Sequence, residues 1–134
     1  MPLLDDVADY LEAQSIGHVG VDIFPGKMPD QPNACIALYE LPGFGPDPIT
    51  TMERPGIKIR IRDSDTDLNT STGIAGAMTK AYAIKKLLHR KVGITLSGVL
   101  YHRIDATGNP GWIGQDQRGR NILDLNFIMC KEEE

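Results

Sequence analysis

The sequence predicts an α+β fold, in which one mixed or antiparallel sheet of about five strands carries two helices on one face. Several segments alternate apolar and polar residues with a period of two, which is typical of half-buried strands. Two other segments, within residues 2–14 and 72–91, place apolar residues at helical spacing. The predicted order is α-β-β-β-α-β-β, and one sheet covered by two helices would bury all of these apolar faces.

The first helix and two strands are predicted within residues 2–41. Pro2 suits a first helical turn, an apolar stripe follows it, and Gly17 ends the segment. Val19, Val21 and Ile23 then alternate with small or polar residues, which predicts a strand. Residues 34–41 (ACIALYEL) are apolar on both faces, which is typical of a central strand.

Residues 42–56 (PGFGPDPITTMERPG) are rich in proline and glycine, so we expect a long irregular loop there. The next segment, IKIRIR at 57–62, has the clearest strand pattern in the chain. Its isoleucines face one way, while Lys58, Arg60 and Arg62 face the other. This basic face could contact phosphates or an acidic protein surface, or it could be an ordinary solvated sheet face.

The second helix is predicted over about residues 72–91, with Gly93 as its stop signal. A strand at 98–106 and a closing strand at 122–130 follow, and residues 131–134 (KEEE) read as a solvated acidic tail. In the strand at 98–106, Val99, Tyr101 and Arg103 are expected to oppose Leu100, His102 and Ile104.

The connection GNPGWIGQDQRGRN, at residues 108–121, is long and contains the only tryptophan of the chain. Asp116 is flanked by Arg118 and Arg120, so an ion pair could shape the turn while Trp112 packs beneath it. Tryptophan and arginine are also enriched among the residues that dominate binding energy at protein interfaces. The local sequence leaves a self-packed loop and a partner-binding loop equally open.

Composition limits the classes of function. A chain of 134 residues is expected to form a single domain, 1–134. A net charge of −4 argues against nucleic acid as the main partner. No apolar run is long enough to predict a membrane span, and the acids near the N-terminus do not suit a signal peptide. Cys35 and Cys130 form no disulfide framework and are expected to be reduced.

The residues predict no catalytic, cofactor or metal site. The three histidines, His18, His89 and His102, share no ligand-like spacing with other metal-binding residues. Asp63, Asp65 and Asp67 could form a divalent-metal cluster in a small hydrolase, which is one alternative. Alternating acids before a helix are more often caps and turn formers, and the spacing of a calcium loop is missing.

The second half of the chain resembles the minor capsid and tail-terminator proteins of long-tailed bacteriophages, the small neck proteins that cap the tail tube. The resemblance covers about residues 57–130 and includes the arginine-bearing strand ahead of the long helix. It rests mainly on the pattern formed by Pro110, Gly111, Ile113, Gly114, Asp116, Gly119, Arg120, Asn126 and Phe127.

The resemblance implies a virion protein without catalysis or cofactors, made in the cytoplasm of the bacterial host. Its copies would form a ring, usually of six, that caps the tail tube and joins it to the head connector. DNA passing through the lumen could make non-specific contacts. A head-closure or adaptor protein of the same neck is the nearest alternative, and a cytosolic binding module is a further one.

A ring subunit needs two different contact patches. The expected interface residues come from the long loop, the basic strand face and the Trp112 connection. They are Phe44, Ile49, Met52, Lys58, Arg60, Arg62, Trp112, Asp116, Arg118 and Arg120.

Overall fold

The computed structural model describes residues 2–30, 34–44, 52–62, 72–96, 98–117 and 120–132. Two helices and seven strands lie within these ranges. In chain order they are α1 (Pro2–Ala13), β1 (Ile23–Pro25), β2 (Cys35–Phe44), β3 (Met52–Arg62), α2 (Thr72–Leu88), β4 (Lys91–Leu96), β5 (Val99–Ala106), β6 (Gly111–Gln115) and β7 (Asn121–Glu132).

The strands form one mixed sheet in the order β1-β2-β3-β7-β5-β4, and β6 also pairs with β7. β1 runs parallel to β2, and the other pairs are antiparallel. β3 pairs with one side of β7, while β5 and β6 pair with consecutive parts of its other side. β5 and β6 therefore behave as one long strand that is interrupted between Ala106 and Gly111.

The core lies between one face of the sheet and the two helices. The isoleucines of β3 and the alternate residues of β7 point into it, as the period of two predicts. α1 contributes its whole apolar stripe, and α2 contributes Ala77, Ala81, Ile84 and Leu88. The α+β class and the predicted inward faces of these strands are confirmed.

The packing of the helices differs in detail from the expected pair on one face of the sheet. α2 packs on β7, β3 and β5, in the middle of the strand order. α1 contacts β1 and β2, and it also contacts β4 at the opposite end of that order. One helix can touch both ends only if the sheet curls, so α1 closes the open side of a curled sheet.

The sheet has two more strands than predicted, β4 and β6. The second helix ends at Leu88 instead of near residue 91, because Arg90 adopts a left-handed backbone conformation with φ of 63°. β4 begins at once with Lys91, and Gly93 lies inside this strand instead of stopping the helix. Its β-branched residues Val92, Ile94 and Thr95 favour a strand once the helix has ended.

Residues 42–56 are less irregular than expected. β2 continues to Phe44 and β3 begins at Met52, so the ends of the predicted loop pair with each other. Gly43 makes this possible: its φ is 63°, and a Cβ there would clash with the carbonyl oxygen of Arg54. Residues 45–51 lie outside the described part of the chain.

Two other predicted elements are corrected. Only Ile23–Pro25 of the first strand is regular, because the His18 carbonyl accepts hydrogen bonds from three following amides and turns the chain. Val21 is consequently 63% exposed. At the other end of the chain, Lys131 is not part of a solvated tail. It lies in β7, is 4% exposed, and its Nζ is 3.6 Å from Glu53 Oε2.

A register shift in β5 corrects the predicted alternation of that strand. The pairing with β7 slips between Tyr101 and Arg103, so that Tyr101 and Ile104 both point into the core. The Tyr101 hydroxyl donates to Oδ2 of Asp6 on α1 at 3.1 Å, and Asp6 is only 6% exposed. The hydrogen bond gives a buried carboxylate a donor and fixes α1 against the sheet.

Tyr101→Phe should lower the free energy of unfolding by about 1–3 kcal/mol, because the buried Asp6 oxygen loses its donor. Urea denaturation of the variant and the wild type measures the difference. Tyr39→Phe, on the half-buried outer face of the sheet, is the matched control and should change stability less. Equal effects of the two substitutions would contradict this account of Asp6.

Candidate assembly surface

The connection at residues 108–121 contains a strand and a tight hairpin. β6 pairs with the first residues of β7, from Gly111 opposite Asp124 to Gln115 opposite Asn121. The register shifts between Trp112 and Gly114, which leaves Ile113 as an extra residue. Gly114 has a φ of 133°, a conformation that other residues rarely adopt. The glycine therefore permits a bulge in the middle of an edge strand.

Trp112 and Ile113 expose large apolar surfaces at this bulge, with 52% and 54% of each residue accessible. The indole is nevertheless held in place, because its Nε1 donates to Oδ1 of Asn121 at 3.3 Å. Gln115 Nε2 donates to the same oxygen, also at 3.3 Å, and Asn121 is 5% exposed. An exposed tryptophan with a fixed orientation loses little conformational entropy when another surface covers it.

Asp116 and Arg120 close the hairpin. Asp116 Oδ1 accepts the Arg120 backbone N–H at 3.0 Å, and Oδ2 accepts Nε of the guanidinium at 2.7 Å. The Asp116 N–H donates in turn to the Arg120 carbonyl at 3.0 Å. The predicted turn-shaping ion pair thus forms with Arg120, while Arg118 lies outside the described residues.

Arg120 also holds a distant part of the chain. Its Nη1 donates to the Asp30 carbonyl at 2.7 Å, and its Nη2 to the Asp30 carboxylate at 3.1 Å. Burial lowers the pKa of the Arg120 guanidinium, but the hydrogen bonds to Asp116 and Asp30 outweigh this effect and the pKa lies above its usual value. The side chain is therefore a charged internal crosslink.

Arg62, one of the three residues of the basic strand face, reaches the same segment. Its Nη2 donates to the carbonyl of Pro29 at 2.7 Å and to that of Asp30 at 3.2 Å. Arg62 is 5% exposed and Arg120 is 4% exposed. The two guanidinium groups together fix residues 29–30 over one end of the sheet.

The other two residues of that face lie beside an acid. Arg60 donates to both oxygens of Asp124 on β7, at 2.8 and 3.0 Å, and these hydrogen bonds raise the pKa of the guanidinium. Lys58 Nζ is 3.8 Å from the same carboxylate. The basic face is thus partly neutralised within the chain. Asp124, which pairs with Arg60 across the strands, could have been identified from the sequence only with the correct strand pairing.

Two of the three interface residues predicted in the long loop lie in strands. Met52 opens β3 opposite Glu132 and is partly buried. Phe44 ends β2 opposite Arg54. Ile49 lies outside the described residues, so the contacts expected of this segment stay a prediction.

Among the described residues, no group of three or more His, Cys, Asp or Glu side chains could hold a metal ion. Burial raises the pKa of the Cys35 thiol above its ordinary value, which disfavours the nucleophilic thiolate. Asp63, Asp65 and Asp67, the acids of the alternative metal cluster, lie outside the described residues.

A family model described as bacteriophage tail terminator protein matches residues 10–133. The chain belongs to the bacteriophage tail terminator family. The resemblance seen at residues 57–130 is thereby confirmed, and the match also includes the strands that precede them. No curated protein matches the chain.

Family membership makes this chain a structural protein of the phage tail and a component of the virion. Within the described part of the chain, neither helix is long and apolar enough to cross a bilayer. The most distinctive part of the family resemblance is the segment that forms β6 and its turn. Asn121, which orients Trp112, and Asp30, which binds Arg120, carried no signal in the sequence.

Arg120→Ala should lower the free energy of unfolding by about 2–4 kcal/mol, because Asp116 and the segment at Asp30 lose a common buried partner. Urea denaturation measures the change. Arg103→Ala removes the same charge from an exposed ion pair with Asp105, and it should affect stability much less. If both substitutions cost the same, Arg120 is not the crosslink that the geometry indicates.

Proposed function

We propose that this chain acts as a tail terminator, and that its copies assemble into a closed ring that caps the tail tube and joins it to the head connector. The ring is expected to contain six copies, as the family resemblance implies. The observation that carries the proposal is the bulged edge of β6, where Trp112 is half exposed and fixed by Asn121. We assign this edge as a contact with another protein of the assembly.

The side chains at this edge suit a protein contact. Trp112 and Ile113 are adjacent and about equally exposed, on a hairpin that Arg120 anchors to the rest of the chain. Tryptophan in a well-packed contact is among the residues that contribute most to binding. Rigid presentation reduces the ordering cost of association, so this edge combines apolar area with preorganisation.

The bulge also affects how the edge can be used. An exposed edge strand tends to pair with strands of other molecules, and a bulge weakens that tendency by disrupting the row of hydrogen-bonding groups. The extra residue Ile113 and the left-handed Gly114 lie in the middle of β6. We therefore expect contact through the side chains of Trp112 and Ile113 instead of an extension of the sheet.

The other predicted interface residues are expected to make additional contacts or to hold the surface in shape. Phe44, Ile49 and Met52 would contact an adjacent terminator or a tube subunit. Lys58 and Arg60 would face the lumen or an acidic partner, although the Asp124 carboxylate beside them weakens their attraction for DNA. Arg62 and Arg120 would act mainly by holding the surface in shape, since both are buried.

Trp112→Ala should abolish or strongly reduce complete particles while leaving the fold intact. Particles produced without this chain and complemented with the variant can be inspected by electron microscopy, where overlong tails without heads are the expected result. Val21→Ala, at another exposed apolar residue, is the matched control and should support normal assembly. Circular dichroism and urea denaturation of both variants verify folding.

Two results would contradict the proposal. Normal particle yield with Trp112→Ala would show that the β6 edge is not an assembly contact. Tails of normal length that lack heads, in the absence of the chain, would instead indicate the head-closure or adaptor role, because tail length would then be set elsewhere.

A further inference from the structure

The outward side of α2 carries a groove that the proposed function does not use. Tyr82, Lys85, Lys86 and His89 line a cavity of about 440 Å³. Their spacing of i, i+3, i+4 and i+7 places them on one side of the helix and of the turn at His89 that directly follows it, where the His89 N–H donates to the Lys85 carbonyl. These lining residues are aromatic or basic, and Arg90 and Lys91 follow directly in the chain. The groove thus concentrates positive charge in a protein whose net charge is −4.

The groove is shaped by contacts with the end of β5 and with the segment that follows it. Lys85 Nζ donates to Oδ1 of Asn109 at 2.6 Å and lies 5.8 Å from the centre of the Tyr82 ring. His89 Nδ1 accepts the Ala106 N–H at 2.9 Å, so a neutral imidazole carries its proton on Nε2. The lining therefore offers ammonium and imidazole donors beside an aromatic ring and apolar lysine stems.

This chemistry fits carboxylate side chains presented on a protein surface. Lysine donors attract carboxylates, while the ring and the methylene stems can cover apolar atoms next to them. DNA is a poorer match, because phosphate binding usually relies on a wider basic stripe than one helix face.

The chain itself presents a complementary surface on α1. Asp5, Asp9 and Glu12 are exposed and follow the spacing i, i+4 and i+7, so they share the outward face of that helix. Glu12 Oε2 also accepts the Val19 N–H at 2.6 Å, which fixes its carboxylate there. The acidic stripe and the basic groove each span eight residues, and their first and last positions are about 10 Å apart along the helix.

We infer that the groove on α2 receives the acidic face of α1 from a second copy of this chain. An antiparallel approach places Asp5, near the start of α1, beside His89, near the end of α2. The opposite ends of the two helix dipoles then meet, which adds to the attraction between the charged side chains. Asp5, Asp9 and Glu12 are exposed, so α2 of the same molecule does not cover them.

The contact joins two different patches, so it is heterologous and can repeat from copy to copy until a ring closes. The inference rests on the proposed ring and names one of the surfaces that would build it. It is separate from the Trp112 edge, which lies on β6.

A charge-swap experiment tests the contact. Lys86→Glu or Asp9→Lys alone should weaken self-association by about tenfold or more in the dissociation constant, because each places like charges together. An equal mixture of the two variants should recover association. The groove of the Lys86→Glu variant would then bind α1 of the Asp9→Lys variant through a reversed ion pair, and the native ion pair would form at the next contact. Analytical ultracentrifugation over a range of concentrations, at physiological salt, measures all of these states.

Lys80→Glu is the matched control, because it makes the same charge change elsewhere on α2. It should leave self-association unchanged, and circular dichroism verifies that all variants fold. A monomeric wild type at millimolar concentration, or no recovery in the mixture, would overturn the inference.

Duplex DNA provides a further arm of the test. DNA that binds the wild type and loses affinity only with Lys86→Glu would assign the groove to phosphates instead, and would also overturn the inference. These results are distinguishable from failure of the proposed function: loss of particles with Trp112→Ala leaves the terminator role intact even if the charge swap fails.

Discussion

The buried guanidinium of Arg120 is the interaction on which the candidate surface depends. Its hydrogen bonds to Asp116 close the turn after β6, and those to Asp30 attach the turn to a segment 90 positions earlier in the sequence. A buried charge is stable only when its donors are satisfied, so the guanidinium constrains both partners together. Because these hydrogen bonds hold the hairpin in place, β6 is rigid, and Trp112 is exposed on a rigid strand.

The pairing of β7 explains why that edge exists. β3 follows β7 along nearly its whole length, whereas the opposite side is covered by β5 and β6 in succession. Each of these two strands contains a register shift, one near Tyr101 and one near Ile113. The first turns Tyr101 and Ile104 into the core, and the second leaves Ile113 outside the ladder. The same kind of bulge therefore buries side chains in β5 and exposes Ile113 in β6.

Much of the fold follows from local periodicity. α1, β3 and β7 were predictable because their apolar residues face a single core at the period of a helix or a strand. β4 and β6 were not, because β4 begins directly after the left-handed Arg90 and β6 is interrupted by a bulge at the left-handed Gly114, and such conformations leave little trace in an apolar pattern. The sequence allowed two interpretations of the connection that contains Trp112, a self-packed loop and a partner-binding loop, and an exposed Trp112 fits the second. Its hydrogen bond to Asn121 became evident only with the register of the hairpin.

The distribution of charge separates structural groups from groups suited to contact. Arg60 is bound by Asp124, Arg120 by Asp116 and Asp30, and Lys131 lies near Glu53. The acids that neutralise these cations belong to the same chain. The ion pairs therefore mainly stabilise the subunit. The lysines of the α2 groove are on the outward side of a helix, beside Tyr82 and His89. Opposite charge for this groove is available on α1 of another copy, and a heterologous pairing of that kind gives a subunit two distinct sides. Two distinct sides are what a closed ring requires.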